Sequence, residues 1–165
     1  MKFRLLSAIA AAAFLAACST APQEDAGATG AGAGAGTSTT QTQTGPAAGS
    51  AEEFMKVVGD RVFFGYDQYN LTPEAQSALR QQAAWLKRYG NHSVVLEGHA
   101  DERGTREYNL ALGERRANSV REFLMSQGVE SARLRVISYG KERPVCGDSV
   151  DACWTQNRRG VTVLQ

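Results

Sequence analysis

The side chains best placed to do chemistry lie in one run, Glu97 to Ala117, which reads EGHADERGTREYNLALGERRA. It places a carboxylate, Asp101, and a guanidinium, Arg116, on either side of a glycine-punctuated turn. A planar guanidinium matches a carboxylate through two parallel hydrogen bonds, and a carboxylate pairs with an ammonium. One acid and one arginine on adjoining elements therefore suit a small zwitterion. The bland alternative is a surface ion pair, worth about 0–1 kcal/mol. Gly98 and Gly104 suit tight turns that hold the intervening loop.

These groups need elements to position them. His92 to Glu97, with its apolar Val94-Val95-Leu96, predicts a strand that delivers Asp101. Gly113 to Gln127 predicts a helix with Ala117, Val120 and Leu124 inward and Gly128 stopping it. Arg116 then falls in the first turn, where the helix dipole also favours an anion. Upstream, Arg61 to Tyr66 reads as a strand with Val62 and Phe64 on one face. Thr72-Pro73-Glu74 is a helix start, with Thr as N-cap and Pro at the first helical position. Ala75, Leu79, Ala83 and Leu86 then form the buried stripe of a helix that ends at Gly90. Leu134 to Tyr139 and Gly160 to Leu164 complete the set as strands. The order gives an α/β two-layer sandwich: a mixed four-stranded sheet with helices on one face. Right-handed crossovers make the helix-joined strands locally parallel. About 115 residues from Ala51 onward suit one domain with one core.

The region before that domain has a different character. Lys2 and Arg4 precede an apolar stretch, Leu5 to Ala17, too short for a membrane span. It closes on Leu15-Ala16-Ala17-Cys18, a lipobox pattern that predicts a leader over 1–17, cleavage before Cys18 and lipidation of Cys18. Ser19, rather than an aspartate, follows the cysteine and favours the outer membrane. Residues 18–51 read as a tether, because Ala26 to Gly49 has no charge and no large apolar residue to offset the entropy of ordering. Such a coil reaches about 30 Å root-mean-square and about 100 Å fully extended. The globular domain is expected over 52–165. Of three cysteines, Cys146 and Cys153 remain once Cys18 carries lipid, and in an oxidising compartment they read as a small-loop disulfide. The chain-entropy model gives it about 2–3 kcal/mol. Zinc is the sharper alternative, but two ligands without a nearby histidine are too few. The sequence carries 18 Lys and Arg against 17 Asp and Glu. A near-neutral chain with no basic run argues against nucleic acid as the main partner.

The GHADERG…YN…LGERRA core resembles the C-terminal domain of the OmpA family, and the resemblance covers Val62 to Leu164. It implies a non-catalytic domain without cofactor or metal that binds peptidoglycan through diaminopimelate. In that reading Asp101 takes the ammonium and Arg116 clamps the carboxylate. Asn109 and Thr105 fix the loop or contact backbone, and Leu112 forms an apolar wall. The family's first strand usually runs Phe-Asp-x-Asp, whereas here it is Phe64-Gly65-Tyr66-Asp67, leaving Asp67 as the one candidate acid there. Arg103 reads as an outward loop charge, and Arg158 and Arg159 as structural pairing. The resemblance further implies an outer-membrane, periplasm-facing lipoprotein of the Tol–Pal system. Its partners would be the cell wall, the TolB-like periplasmic propeller protein and other Tol components.

An enzyme is the competing class. Glu97, His99, Asp101 and Glu102 superficially offer metal ligands or acid–base groups. On a strand the first three point one way and Glu102 the other. The sequence holds only two histidines and no activated nucleophile motif. His99 is expected to hydrogen-bond within the loop.

Overall fold

The computed structural model describes residues 45–165. The leader, Cys18 and most of the tether lie outside the described residues. Four strands, β1 (Arg61–Phe63), β2 (Val94–His99), β3 (Leu134–Gly140) and β4 (Arg159–Leu164), form one sheet in the order β1-β4-β2-β3. The last strand inserts between the first two. It runs antiparallel to both, while β2 and β3 pair in parallel. Helices α2 (Pro73–Arg88) and α3 (Arg106–Ser126) cross back over this sheet. Two shorter pieces flank them: α1 (Ala51–Glu53), continuing as a wide turn over Phe54–Gly59, and α4 (Asp151–Asn157). The expected α/β architecture with a mixed four-stranded sheet is the one observed.

Local chemistry explains the elements. Thr72 Oγ1 accepts from the Ala75 amide at 3.2 Å, so α2 starts where the Thr-Pro-Glu signal predicts. Its stripe of Ala75, Leu79, Ala83 and Leu86 is buried against Val62, Val94, Leu96 and Leu134 from the sheet and against Val120 and Leu124 from α3. Each fully buried leucine contributes roughly 1.5–3 kcal/mol. Gln82 is buried among them because both ends of its amide are used. It donates to the Gly59 carbonyl and accepts from Thr162 Oγ1, each at 2.8 Å. Trp85 is core edge, its ring tilted against that of Phe54 at 4.9 Å and its Nε1 donating to Glu53 at 2.8 Å.

Helix α3 departs from the expectation. It begins at Arg106, about two turns before Gly113. Thr105 is the N-cap, its hydroxyl accepting from the Tyr108 amide at 3.2 Å, and Glu107 supplies the first-turn acid. Gly113 sits mid-helix for a packing reason. A Cβ there would strike Ser138 Oγ, and one on Gly98 would strike the Gly113 carbonyl. Gly98 is therefore a contact glycine inside β2, not a turn residue. Gly104, at φ +91°, is the turn glycine. This glycine-on-glycine contact sets α3 directly on β2. Gly98→Ala is expected to lower stability by about 2 kcal/mol or more, because backbone rather than a flexible side chain must move. A urea midpoint equal to wild type would contradict that packing account.

Candidate functional site

The strand β2 ends at His99 and leads into Asp101, while α3 carries Asn109, Leu112 and Arg116 along one side. These elements, with the loop after β1, enclose a cavity of about 170 Å³. Asp101, Asn109, Leu112, Arg116 and Asp67 all line it. Thr105 does not line it and instead caps α3.

Arg116 lies in the interior of α3, not in its first turn, so the helix dipole does not reinforce it as expected. It is 0% exposed. Its Nε donates to the Gln68 carbonyl at 2.7 Å, one Nη to the His99 carbonyl at 2.7 Å and the other to the Gly65 carbonyl at 3.0 Å. A guanidinium has five N–H groups, so one remains on each terminal nitrogen. Burial pushes its pKa down to about 10, with Asp101 working the other way, and it stays charged at neutral pH. Gly65, where the usual acid is absent, contributes through its carbonyl, which needs no side chain.

Asp101 is 5% exposed and is not free of partners. Arg103 donates to it from its backbone amide at 3.2 Å and from its guanidinium at 3.3 and 2.5 Å. Arg158 reaches the same carboxylate at 3.4 Å. Burial alone would raise the carboxyl pKa, but the hydrogen bonds from Arg103 and Arg158 prevail and hold it below the usual range. The expected view of Arg103 as an outward charge is therefore corrected. Its guanidinium lies between two rings, 4.2 Å from the Tyr66 centroid and 4.1 Å from Trp154. The signal for Arg103 was its place two residues after Asp101. Trp154 gave none, because nothing local joins it to the loop. Arg158 also donates to the Phe64 carbonyl at 3.1 Å and to Thr155 at 2.9 Å.

The remaining candidates hold the frame. Asn109 Nδ2 donates to the carbonyls of Arg103 and Thr105 at 2.8 and 3.1 Å, pinning the loop. Asp67, at φ 55°, accepts from the Tyr108 hydroxyl at the cavity mouth. Cys146 and Cys153 are joined by a disulfide. Asp148 is beside them, the one group of metal-ligating types among the described residues, but both sulfurs are already bonded.

His99 does not hydrogen-bond within the loop. Its ring is 2% exposed on the sheet face opposite α3, and neither ring nitrogen has a partner among the described residues. The surrounding groups are Glu97 at 3.5 Å, the Tyr139 ring and the charges of Arg159 and Arg143. The physical reason is that β2 runs one residue pair further than expected, carrying His99 into the sheet.

Residues 63–158 match the model of the OmpA family, and the chain belongs to that family. It is 58% identical over 116 residues to a peptidoglycan-associated lipoprotein of Brucella melitensis, covering 70% of this chain and 69% of that one. The relative of the same name from Pseudomonas aeruginosa is 57% identical over 97 residues, 59% of this chain and 57% of its own. Among solved structures, the peptidoglycan-associated lipoprotein from Burkholderia pseudomallei is 40% identical with a TM-score of 0.65. That match spans 67% of this chain and 96% of the other. The C-terminal domain of Helicobacter pylori MotB, 18% identical with a TM-score of 0.60 over 64% of this chain and 84% of its own, shares the fold. Within the OmpA family, this chain's place is among the peptidoglycan-associated lipoproteins.

Burial, then Arg159 and Arg143, push the His99 pKa down to about 4. An unfolded histidine titrates near 6.5. Between those values the unfolded chain binds the extra proton, so stability falls as pH drops from about 6.5 to about 4 and this contribution then levels off. Across that window wild type should lose on the order of 1–3 kcal/mol more than His99→Gln in urea unfolding. Parallel pH profiles for the two proteins would refute the assignment.

Proposed function

We propose that this chain is an outer-membrane lipoprotein that grips peptidoglycan non-covalently through diaminopimelate. In this reading residues 1–17 are removed, Cys18 carries the lipid, residues 18–51 are the tether and residues 52–165 hold the wall. The domain then couples membrane to wall within the Tol–Pal system, at constriction during division, with the TolB-like periplasmic propeller protein as an alternate partner. The function is binding and not catalysis.

The observation that carries this reading is that Asp101 and Arg116 line one cavity while bonding to other groups rather than to each other. The diaminopimelate side chain ends in an ammonium and a carboxylate on one carbon. Asp101 offers the anionic partner, and the two uncommitted N–H groups of Arg116 offer the cationic one. Leu112 supplies an apolar wall for the stem. Charge-assisted bonds of about 1.5–3 kcal/mol each, two or three together, give about micromolar binding without a deep pocket. Because Arg116 has no exposed surface, the ligand carboxylate reaches it only as the mouth residues Tyr66, Asp67 and Tyr108 give way. The test is binding of a diaminopimelate muropeptide and of purified sacculi. Asp101→Ala should weaken both about tenfold or more with the circular dichroism spectrum retained. Undiminished binding by that variant would refute the ammonium seat.

A further inference from the structure

The cavity wall next to Asp101 is built outside the hydrophobic core. No residue from Lys141 to Asn157 belongs to the main apolar cluster, and the loop from Glu142 to Val150 is exposed except at Cys146. Helix α4 has seven residues and no side-chain cap from Val150. A helix that short does not hold its shape unaided. Two things fix it. Asn157 accepts from the amides of Val145 and Cys146 at 2.9 and 3.2 Å and donates to the Cys146 carbonyl at 2.7 Å. Cys153, 4% exposed, is bonded to Cys146.

Beside that crosslink, α4 presents two side chains to the site, Trp154 and Thr155. Trp154 covers the Arg103 guanidinium at 4.1 Å and donates Nε1 to Glu102 at 2.9 Å. Thr155 accepts from Arg158 at 2.9 Å, and Arg158 in turn reaches Asp101 at 3.4 Å. Both cations that hold Asp101 are thus themselves held by α4, next to the disulfide.

We propose that the Cys146–Cys153 disulfide is a redox-sensitive strut of the ligand site, and that Trp154 is the positioning residue through which it acts. The proposal rests on the diaminopimelate reading above. A dithiol reductant opens the strut in two exchanges. Its thiolate attacks one cysteine sulfur and breaks the S–S bond, and its second thiol then displaces the mixed disulfide. Two electrons and two protons pass to the protein, which gains two thiols while the reductant becomes a cyclic disulfide. Helix α4 then loses its covalent tie and keeps only the hydrogen bonds of Asn157, Trp154 and Thr155. Trp154 shifts off Arg103, and the Asp101–Arg103 pair loses its fixed position. The apolar core does not include this segment, so the domain stays folded.

Calorimetric titration of a diaminopimelate muropeptide into the full-length protein in detergent tests this. Thiol counting establishes the redox state, and thermal unfolding is followed in parallel. Reduced protein and the Cys146→Ser/Cys153→Ser variant should each bind about five- to tenfold more weakly than oxidised wild type. Trp154→Ala should match that loss with the disulfide intact and lose nothing more on reduction. Trp154→Phe, which keeps a ring over Arg103, should restore most of the affinity. Equal or tighter binding by the reduced form overturns the strut, as does a Trp154→Ala variant that binds like wild type. A reduced protein already unfolded at the assay temperature overturns it too, since the bond would then staple the fold. No binding by oxidised wild type would bring down the diaminopimelate reading and the strut together, whereas equal binding by both redox forms removes the strut alone.

Discussion

The arrangement depends on one cation with no solvent contact. Arg116 binds carbonyl oxygens of Gly65 and Gln68 in the loop after β1 and of His99 at the end of β2. Taking a guanidinium out of water costs several kcal/mol, offset only when its donors find good acceptors. Here three carbonyls and the nearby Asp101 charge supply that offset. The constraint works in both directions. If either segment moved away, a buried charge and a bare carbonyl would be left unpaired. The loop after β1 and the turn after β2 are thus tied to one helix, and the cavity is the space left between them.

The site is basic for a related reason. It lies where β2 and β3 leave the sheet, and chain leaving a strand exposes carbonyls with no ladder partner. Cationic side chains meet that need. Arg116 takes the His99 oxygen, Arg158 that of Phe64, and Lys141 those of Glu102 and Gly104 at 3.0 and 2.6 Å. Asp101 is the one carboxylate buried among three guanidinia, while Asp67 stays at the mouth with Tyr108. An anion meets a favourable field beside Arg116, and a cation meets one at the carboxylates of Asp101 and Asp67. That arrangement suits a headgroup with both charges better than a simple ammonium.

The fold was largely legible because its signals are local. The Thr72-Pro73-Glu74 start and the stripe that follows predict α2 nearly to the residue, and alternation predicts the strands. The start of α3 is hidden in the sequence because Gly113 looks like a boundary. Its real role is steric and involves Gly98, which no local pattern reveals. Thr105 followed by Glu107 was the better start signal, a capping residue with an acid in the first turn. Helix α4 and the turn over Phe54–Gly59 leave no signature in the sequence, since a short element without an apolar stripe has no periodicity to detect. Asp101 and Arg116 stand out as an acid and an arginine flanking one turn, and the family resemblance of that run adds Asn109 and Leu112. The partners that Asp101 finds through Arg158, and that Arg103 finds in Tyr66 and Trp154, come from distant segments and needed coordinates.

Moving the helix start changes how Arg116 can act. In a first turn it would be a solvated fork, reinforced by free amides and ready to grip any carboxylate. Mid-helix it is a structural tie with two spare donors and no exposed surface. Electrostatic interactions strengthen as solvent is excluded, so a carboxylate that reaches those donors is held more firmly than at a surface fork. The same screening demands that the mouth and its neighbours be well placed beforehand. Arg103 meets that demand, held by two aromatic faces and one carboxylate and supported by α4. Preorganisation of that kind converts a weak surface pair into a selective seat, and it explains why so much of the loop chemistry here is spent on fixing side chains rather than on presenting them.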